Sequence, residues 1–259
     1  MRSRAFSLCI LRFARLRKAA RLSLFAGLVC LSASCVPAWS QEPSPGGIRS
    51  FGFSTSYSSD SSHILIGNAE QRRIWTLGAE YTHLLHQTSR FRLDYEGSVM
   101  PLYEETDPTV AGTMYTFAGQ TIISAQPPTR VIYPVRGPVG YVVVGGVSTP
   151  ITAITGREAT YAAAVSPLGV RISAFPHRRI QPGFGLNLGF VASARDIPVD
   201  QSAQFNYMFA FGPGVELFTD THTSWRLEYV YRHTSNAGQG NLNPGVDQGV
   251  IRITLSLHR

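Results

Sequence analysis

The chain has 259 residues, with 23 Lys and Arg against 16 Asp and Glu, a formal net charge of +7. The excess lies in the first 40 residues, at Arg2, Arg4, Arg12, Arg15, Arg17, Lys18 and Arg21; residues 41–259 carry 16 Arg, no Lys and all 16 acidic residues. The basic overall composition is therefore no sign of nucleic-acid binding, and with Cys9, Cys30 and Cys35 also in this first stretch the remainder offers neither a disulfide nor a cysteine metal site.

The chain opens as a targeting segment. The basic residues precede an apolar run from Leu22 to Val36, and Ala38-Trp39-Ser40 sets small residues where a signal peptidase needs them. Residues 1–40 are expected to be a signal peptide, with cleavage before Gln41. The apolar run is shorter than the ~20 residues of a spanning helix. Residues 41–259 are expected to form one domain.

Eight segments then alternate with a period of two, the signature of strands with two unlike faces. In chain order their apolar faces are Phe51 to Tyr57, Trp75 to Tyr81, Phe91 to Val99, Leu168 to Ala174, Phe184 to Phe190, Phe205 to Leu217, Trp225 to Tyr231, and Ile251 to Leu257. The opposite faces hold small, polar or charged residues, among them Arg92, Asp94, Glu96, Arg171, Glu216, Arg226, Glu228, Arg232 and Arg252. Mixed charges of this kind can pair inside a narrow lumen. Connections alternate in length. Those at 85–90, 176–182 and 219–224 are short, whereas 58–73, 102–160, 195–204 and 236–246 are longer. Short periplasmic turns and longer external loops are the pattern of outer-membrane barrels. The expected fold is all-β, an eight-stranded antiparallel transmembrane β-barrel in the outer membrane of a Gram-negative-type bacterium. The 102–160 stretch is read as a long external loop, an extra hairpin or two further strands; periodicity does not choose among them.

The chemistry is concentrated in the last hairpin. His233 and Ser235 share a face with Trp225, Leu227, Tyr229 and Tyr231, because side chains alternate along a strand. Asp247 begins the apolar face of the returning arm. In an antiparallel hairpin centred near Gly240 it lies beside His233. The three residues have the roles of a hydrolase triad: Asp247 orients His233, His233 takes the Ser235 proton, and Ser235 attacks an ester carbonyl. Asn236 and Asn243 are candidate oxyanion donors. Ser235 lies ten residues beyond Trp225. At about 3.3 Å per residue and ~40° tilt that is a rise of roughly 25 Å, the height of the apolar band. A triad on the apolar face at that depth implies a lipid substrate.

His233, Ser235, Asn236 and Ala237, followed by Asn243, Gly245, Val246 and Asp247, resemble the active-site hairpin of the lipid A 3-O-deacylase (PagL) family of outer-membrane barrels, a group of acyloxyacyl-type hydrolases. Acids at the position of Asp247 in that family include Glu, one methylene longer. The resemblance implies a lipid A deacylase that hydrolyses the ester-linked 3-hydroxyacyl chain at the 3 position. Its partner is lipid A or lipopolysaccharide in the outer leaflet, and it needs no cofactor.

Other features have plainer readings. His63, His83, His86, His177, His222 and His258 lack metal-ligand spacing, so no metal is expected. Trp75 and Trp225 read as interfacial anchors. Gly137, Gly140, Gly145 and Gly146 form no phosphate-binding pattern. Two alternatives to the enzyme remain at this point: a non-catalytic structural or interaction barrel of the outer membrane, and a soluble β-protein binding apolar ligands inside.

Overall fold

The structure, a computed structural model, describes residues 46–259; the expected leader, residues 1–40, lies outside them. Ten strands occur in the order β1 (Arg49–Ser58), β2 (Arg73–Gln87), β3 (Phe91–Phe117), β4 (Gln120–Arg130), β5 (Pro138–Val144), β6 (Val147–Ala174), β7 (Ile180–Ile197), β8 (Ala203–Phe218), β9 (Thr223–Ser235) and β10 (Val246–His258). Eight of them close into a ring, β1-β2-β3-β6-β7-β8-β9-β10. Every pairing is antiparallel. Closure comes from β1 on β10, with Phe51 opposite Leu257, and from β3 on β6, with Leu93 opposite Ile172.

The alternation in the sequence becomes an inside and an outside. Along β1 every second residue is buried, and the exposed ones include Phe51, Phe53 and Tyr57. Leu168, Val170 and Ile172 on β6, Leu186 and Leu188 on β7, Val215 and Leu217 on β8, and Ile251 and Ile253 on β10 likewise face outward. The buried set is mostly polar, the reverse of a soluble barrel, with a small apolar cluster around Ile74, Met100 and Met208. An apolar wall around a closed antiparallel sheet, with no unpaired strand edge on the ring, is the form in which strands cross a bilayer.

The lumen is filled by charge. Arg226 binds Glu80, lies 3.0 Å from Glu228 and 3.5 Å from Glu96. Arg252 reaches the same three carboxylates, at 2.7 Å for Glu228, 3.3 Å for Glu96 and 3.6 Å for Glu80. Toward the end with short turns, Arg171 pairs with Glu216 at 3.0 Å and Arg92 with Asp94 at 2.8 Å. At the opposite end Asp107 takes Arg72 at 3.2 Å and Arg130 at 3.7 Å, all three buried. Removing one member of such a network leaves a buried charge without its partner, which is far costlier than the net worth of the pair.

The connections sort by end. Short turns at 88–90, 175–179 and 219–222 lie at one end, and the longer links at 59–72 and 236–245 at the other. The 195–204 link is shorter than its sequence suggests, because β7 runs to Ile197 and β8 resumes at Ala203. The 102–160 stretch is neither a plain loop nor a lone hairpin. β3 and β6 continue past the ring as far as the pair Met114–Thr152, and the two further strands flank them in the order β4-β3-β6-β5.

Two outcomes test this architecture. Leu186→Arg, on the outward face of β7, should destabilise folding into bilayers by ~2–4 kcal/mol, measured by urea titration in vesicles. Arg226→Met should cost ~3–5 kcal/mol in the same assay, because Glu80, Glu96 and Glu228 then share one cation fewer.

Candidate active site on the outer wall

On β9 the outward residues Trp225, Leu227 and Tyr229 are exposed, as expected of the apolar band. Two residues further the pattern changes: Tyr231 and His233 are buried although they keep the outward register, and Ser235 is half-buried. The cover is the 59–72 connection, which folds onto the start of β10. Ser61 bridges to Gln248, the Ser62 N–H donates to the Asp247 carbonyl at 3.2 Å, and the Asn68 N–H donates to the Pro244 carbonyl at 2.7 Å.

The register sets Asp247 directly opposite His233, with Val246 opposite Thr234, so the hairpin is centred at Gly240 as read from the sequence. His233 Nδ1 and Asp247 Oδ1 are 2.7 Å apart. A carboxylate can only accept, so Nδ1 carries the proton and Nε2, on the far side of the ring, carries the lone pair. Phe209 on β8 lies beside the imidazole, ring centres 5.1 Å apart, and limits its rotation. Gly245 has φ +61°, and a Cβ there would stand 3.0 Å from His233 Cε1; the position needs glycine for both the left-handed backbone and the close approach to the ring.

Ser235 follows on the same face, opposite Tyr207 of β8. Among the described residues its hydroxyl makes no hydrogen bond, and His233 Nε2 makes none either. The structure thus joins the imidazole to the carboxylate and leaves the hydroxyl two residues along the same strand face.

Asn236 is buried and committed to its turn. Its Nδ2 donates to the Leu242 carbonyl at 2.8 Å, and its Oδ1 accepts the Gly238 N–H at 2.9 Å. Ala237 and Gly238 both take left-handed backbone, which the short Asn236-Ala237-Gly238 run accommodates. The Asn236 N–H donates to Asn243 Oδ1 at 3.2 Å. Asn243 is exposed, and fixing its Oδ1 turns its Nδ2 the other way, without a partner among the described residues.

Two features were not read from the sequence. Tyr231 reads in the sequence only as part of the apolar face, yet its hydroxyl donates to Asp247 Oδ1 at 2.7 Å. The other oxygen of Asp247 accepts three successive backbone N–H groups, from Ile64 at 3.2 Å, Leu65 at 2.7 Å and Ile66 at 2.9 Å. A Tyr two residues before His233 was a usable signal. The amides came from so far along the chain that nothing local announced them.

Fold and site together define an outer-membrane β-barrel that carries a hydroxyl, an imidazole and a carboxylate on its outer wall. The model of the lipid A 3-O-deacylase (PagL) family matches residues 134–256, a stretch that contains His233, Ser235 and Asp247, and the resemblance of the chain is to that family. No curated protein sequence matches the chain. Among solved structures, the outer-membrane enzyme PagL aligns with TM-score 0.47 and 13% identity over 78% of this chain and 97% of its own. Neisserial surface protein A aligns with TM-score 0.38 and 11% identity over 83% and 99%. OprG from Pseudomonas aeruginosa gives 0.38 and 12% over 83% and 98%.

Gly245→Ala is expected to fold with a loss of about 1–2 kcal/mol from left-handed strain and to shift the His233 ring resonances in NMR spectra of the detergent-solubilised protein. Unchanged ring resonances would place the glycine away from the imidazole.

Proposed function

We propose that the protein is a lipid A deacylase that hydrolyses the ester-linked 3-hydroxyacyl chain at the 3 position through Ser235, His233 and Asp247. The observation that carries this reading is the 2.7 Å contact between His233 Nδ1 and Asp247 Oδ1 on the outer wall, which leaves Nε2 as a base on the strand face of Ser235. The match of residues 134–256 to the deacylase family supports the substrate class.

The proposed steps are those of a serine esterase. A lipid diffusing in the outer leaflet presents its ester carbonyl to Ser235. His233 Nε2 accepts the hydroxyl proton as Oγ bonds to the carbonyl carbon, and Asp247 stabilises the imidazolium. The Nδ2 of Asn243, whose Oδ1 is held by the Asn236 N–H, serves the oxyanion. Collapse expels the sugar hydroxyl, which takes the proton from Nε2. Water, deprotonated by the same nitrogen, then releases the 3-hydroxy fatty acid and restores Ser235. The aromatic surface beside the serine, where Phe190 stacks on Phe205 at 5.4 Å and both meet Tyr207 at 5.7 Å, offers an apolar bed for an acyl chain. No step requires a metal or an organic cofactor.

Ser235→Ala and His233→Ala should each remove nearly all release of 3-hydroxy fatty acid from lipid A, since nucleophile and base act as a unit. Asp247→Asn should lose less, and Asp247→Glu least. Fatty acid is measured by mass spectrometry with purified protein in detergent, and folding by heat-dependent gel mobility. Folded Ser235→Ala protein working at the wild-type rate would refute the triad and favour the non-catalytic barrel.

A further inference from the structure

Asp247 is fully buried on a wall that otherwise faces lipid, and its two oxygens have separate sets of donors. Oδ2 is saturated by the Ile64, Leu65 and Ile66 amides. Oδ1 accepts from the Tyr231 hydroxyl and His233 Nδ1, each at 2.7 Å, and the Gly67 backbone also bonds the carboxylate. A carboxylate on a freely rotating χ2 can present either oxygen, or neither, to a neighbouring imidazole. Here the three amides tie one oxygen to the connection, and the plane of the carboxylate is thereby set. Tyr231, set by its register between Gly249 of β10 and Phe211 of β8, reaches diagonally to Asp247 and adds a second restraint on the oxygen that meets His233. It packs on Phe211 at 5.1 Å and on Phe209 at 5.9 Å, so its own ring is held.

The turn that supplies the amides is itself fitted to the acid. The ideal Cβ of an alanine at 67 would lie 2.6 Å from the Asp247 nitrogen and 2.7 Å from its Oδ1, so only a glycine lets the backbone come this close. His63 Nδ1 bonds the Gly67 carbonyl at 2.8 Å and closes the turn across the amides. The arrangement is more than is needed to keep one Asp buried. Hydrogen bonds from backbone amides to a carboxylate favour its charged form, and an anion fixed beside Nδ1 is what an imidazolium requires.

We propose that the Ile64–Gly67 turn and Tyr231 are positioning elements of the catalytic site, which fix the rotation of the Asp247 carboxylate so that Oδ1 alone meets His233. The proposal rests on the esterase reading above. It adds to the triad one side chain and one backbone turn, the latter contributed by the opposite end of the chain.

The test is a double-mutant cycle on purified full-length protein acting on lipopolysaccharide in detergent, with kcat and KM determined separately. Tyr231→Phe removes one hydroxyl and keeps the ring packing. It is expected to lower kcat about tenfold, the scale of one hydrogen bond to a charged group, with KM within about twofold of wild type. In an Asp247→Ala background the same substitution should cause no further loss, because the group it positions is gone. Gly67→Ala should follow the same pattern, with a loss in the wild-type background and no further loss in the Asp247→Ala background. Should Gly67→Ala fail to fold, the Tyr231→Phe cycle decides. Tyr231→Phe at the wild-type rate, or losses that multiply when combined with Asp247→Ala, would overturn the proposal while an active wild type leaves the esterase reading standing. Wild-type protein that releases no fatty acid would overturn both.

Discussion

The pairing of Arg226 and Arg252 with Glu80, Glu96 and Glu228 inside the barrel is the interaction on which the rest of the structure depends. Each strand has one face that lipid would reject. Turning those faces inward is tolerable only if the charges meet opposite charges at hydrogen-bonding distance, since an isolated buried ion costs several kcal/mol. Once the lumen is satisfied, the other face is free to be uniformly apolar, and ring closure leaves no backbone group of the eight strands to be wetted by hydrocarbon.

That division leaves the outer wall to carry His233, Ser235 and Asp247, while the charged side chains of the barrel interior are buried among one another. The wall of β9 and β10 is reached by molecules that move laterally in the membrane. Along the site, burial is graded. Asp247 is fully covered, His233 is nearly so, and Ser235 is half-open, the order that the proposed roles require. The 59–72 connection produces this gradient by closing over the acid and stopping short of the serine.

The long ends of β3 and β6 show the same economy of means at larger scale. Their pairing carries on past the ring and recruits β4 and β5, so a stretch rich in Gly, Pro and Thr becomes a flanked sheet. The Asp107 cluster with Arg72 and Arg130 sits where this extension leaves the barrel. Buried ion pairs thus mark the transition as well as the middle of the lumen.

The sequence by itself determined the strands of the ring, their two faces and the opposition of Asp247 to His233. A period of two is a local property, and a hairpin register follows from its two arms and the turn between them. Charges such as Glu96 and Arg252 were legible as lumen residues because they alternate with residues suited to lipid. What only the tertiary structure decided is which distant groups complete the site and how the middle of the chain folds. The Ile64, Leu65 and Ile66 amides meet Asp247 across more than 180 positions of chain, and a backbone N–H has no side-chain identity by which a sequence can announce it. Asn236 looked equivalent to Asn243, and only the turn geometry showed its side chain to be spent on the loop and that of Asn243 to retain a free donor. The 102–160 stretch stayed ambiguous for the same reason: its strands are defined by pairing with the extended ends of β3 and β6, and pairing partners are a matter of space, not of local pattern.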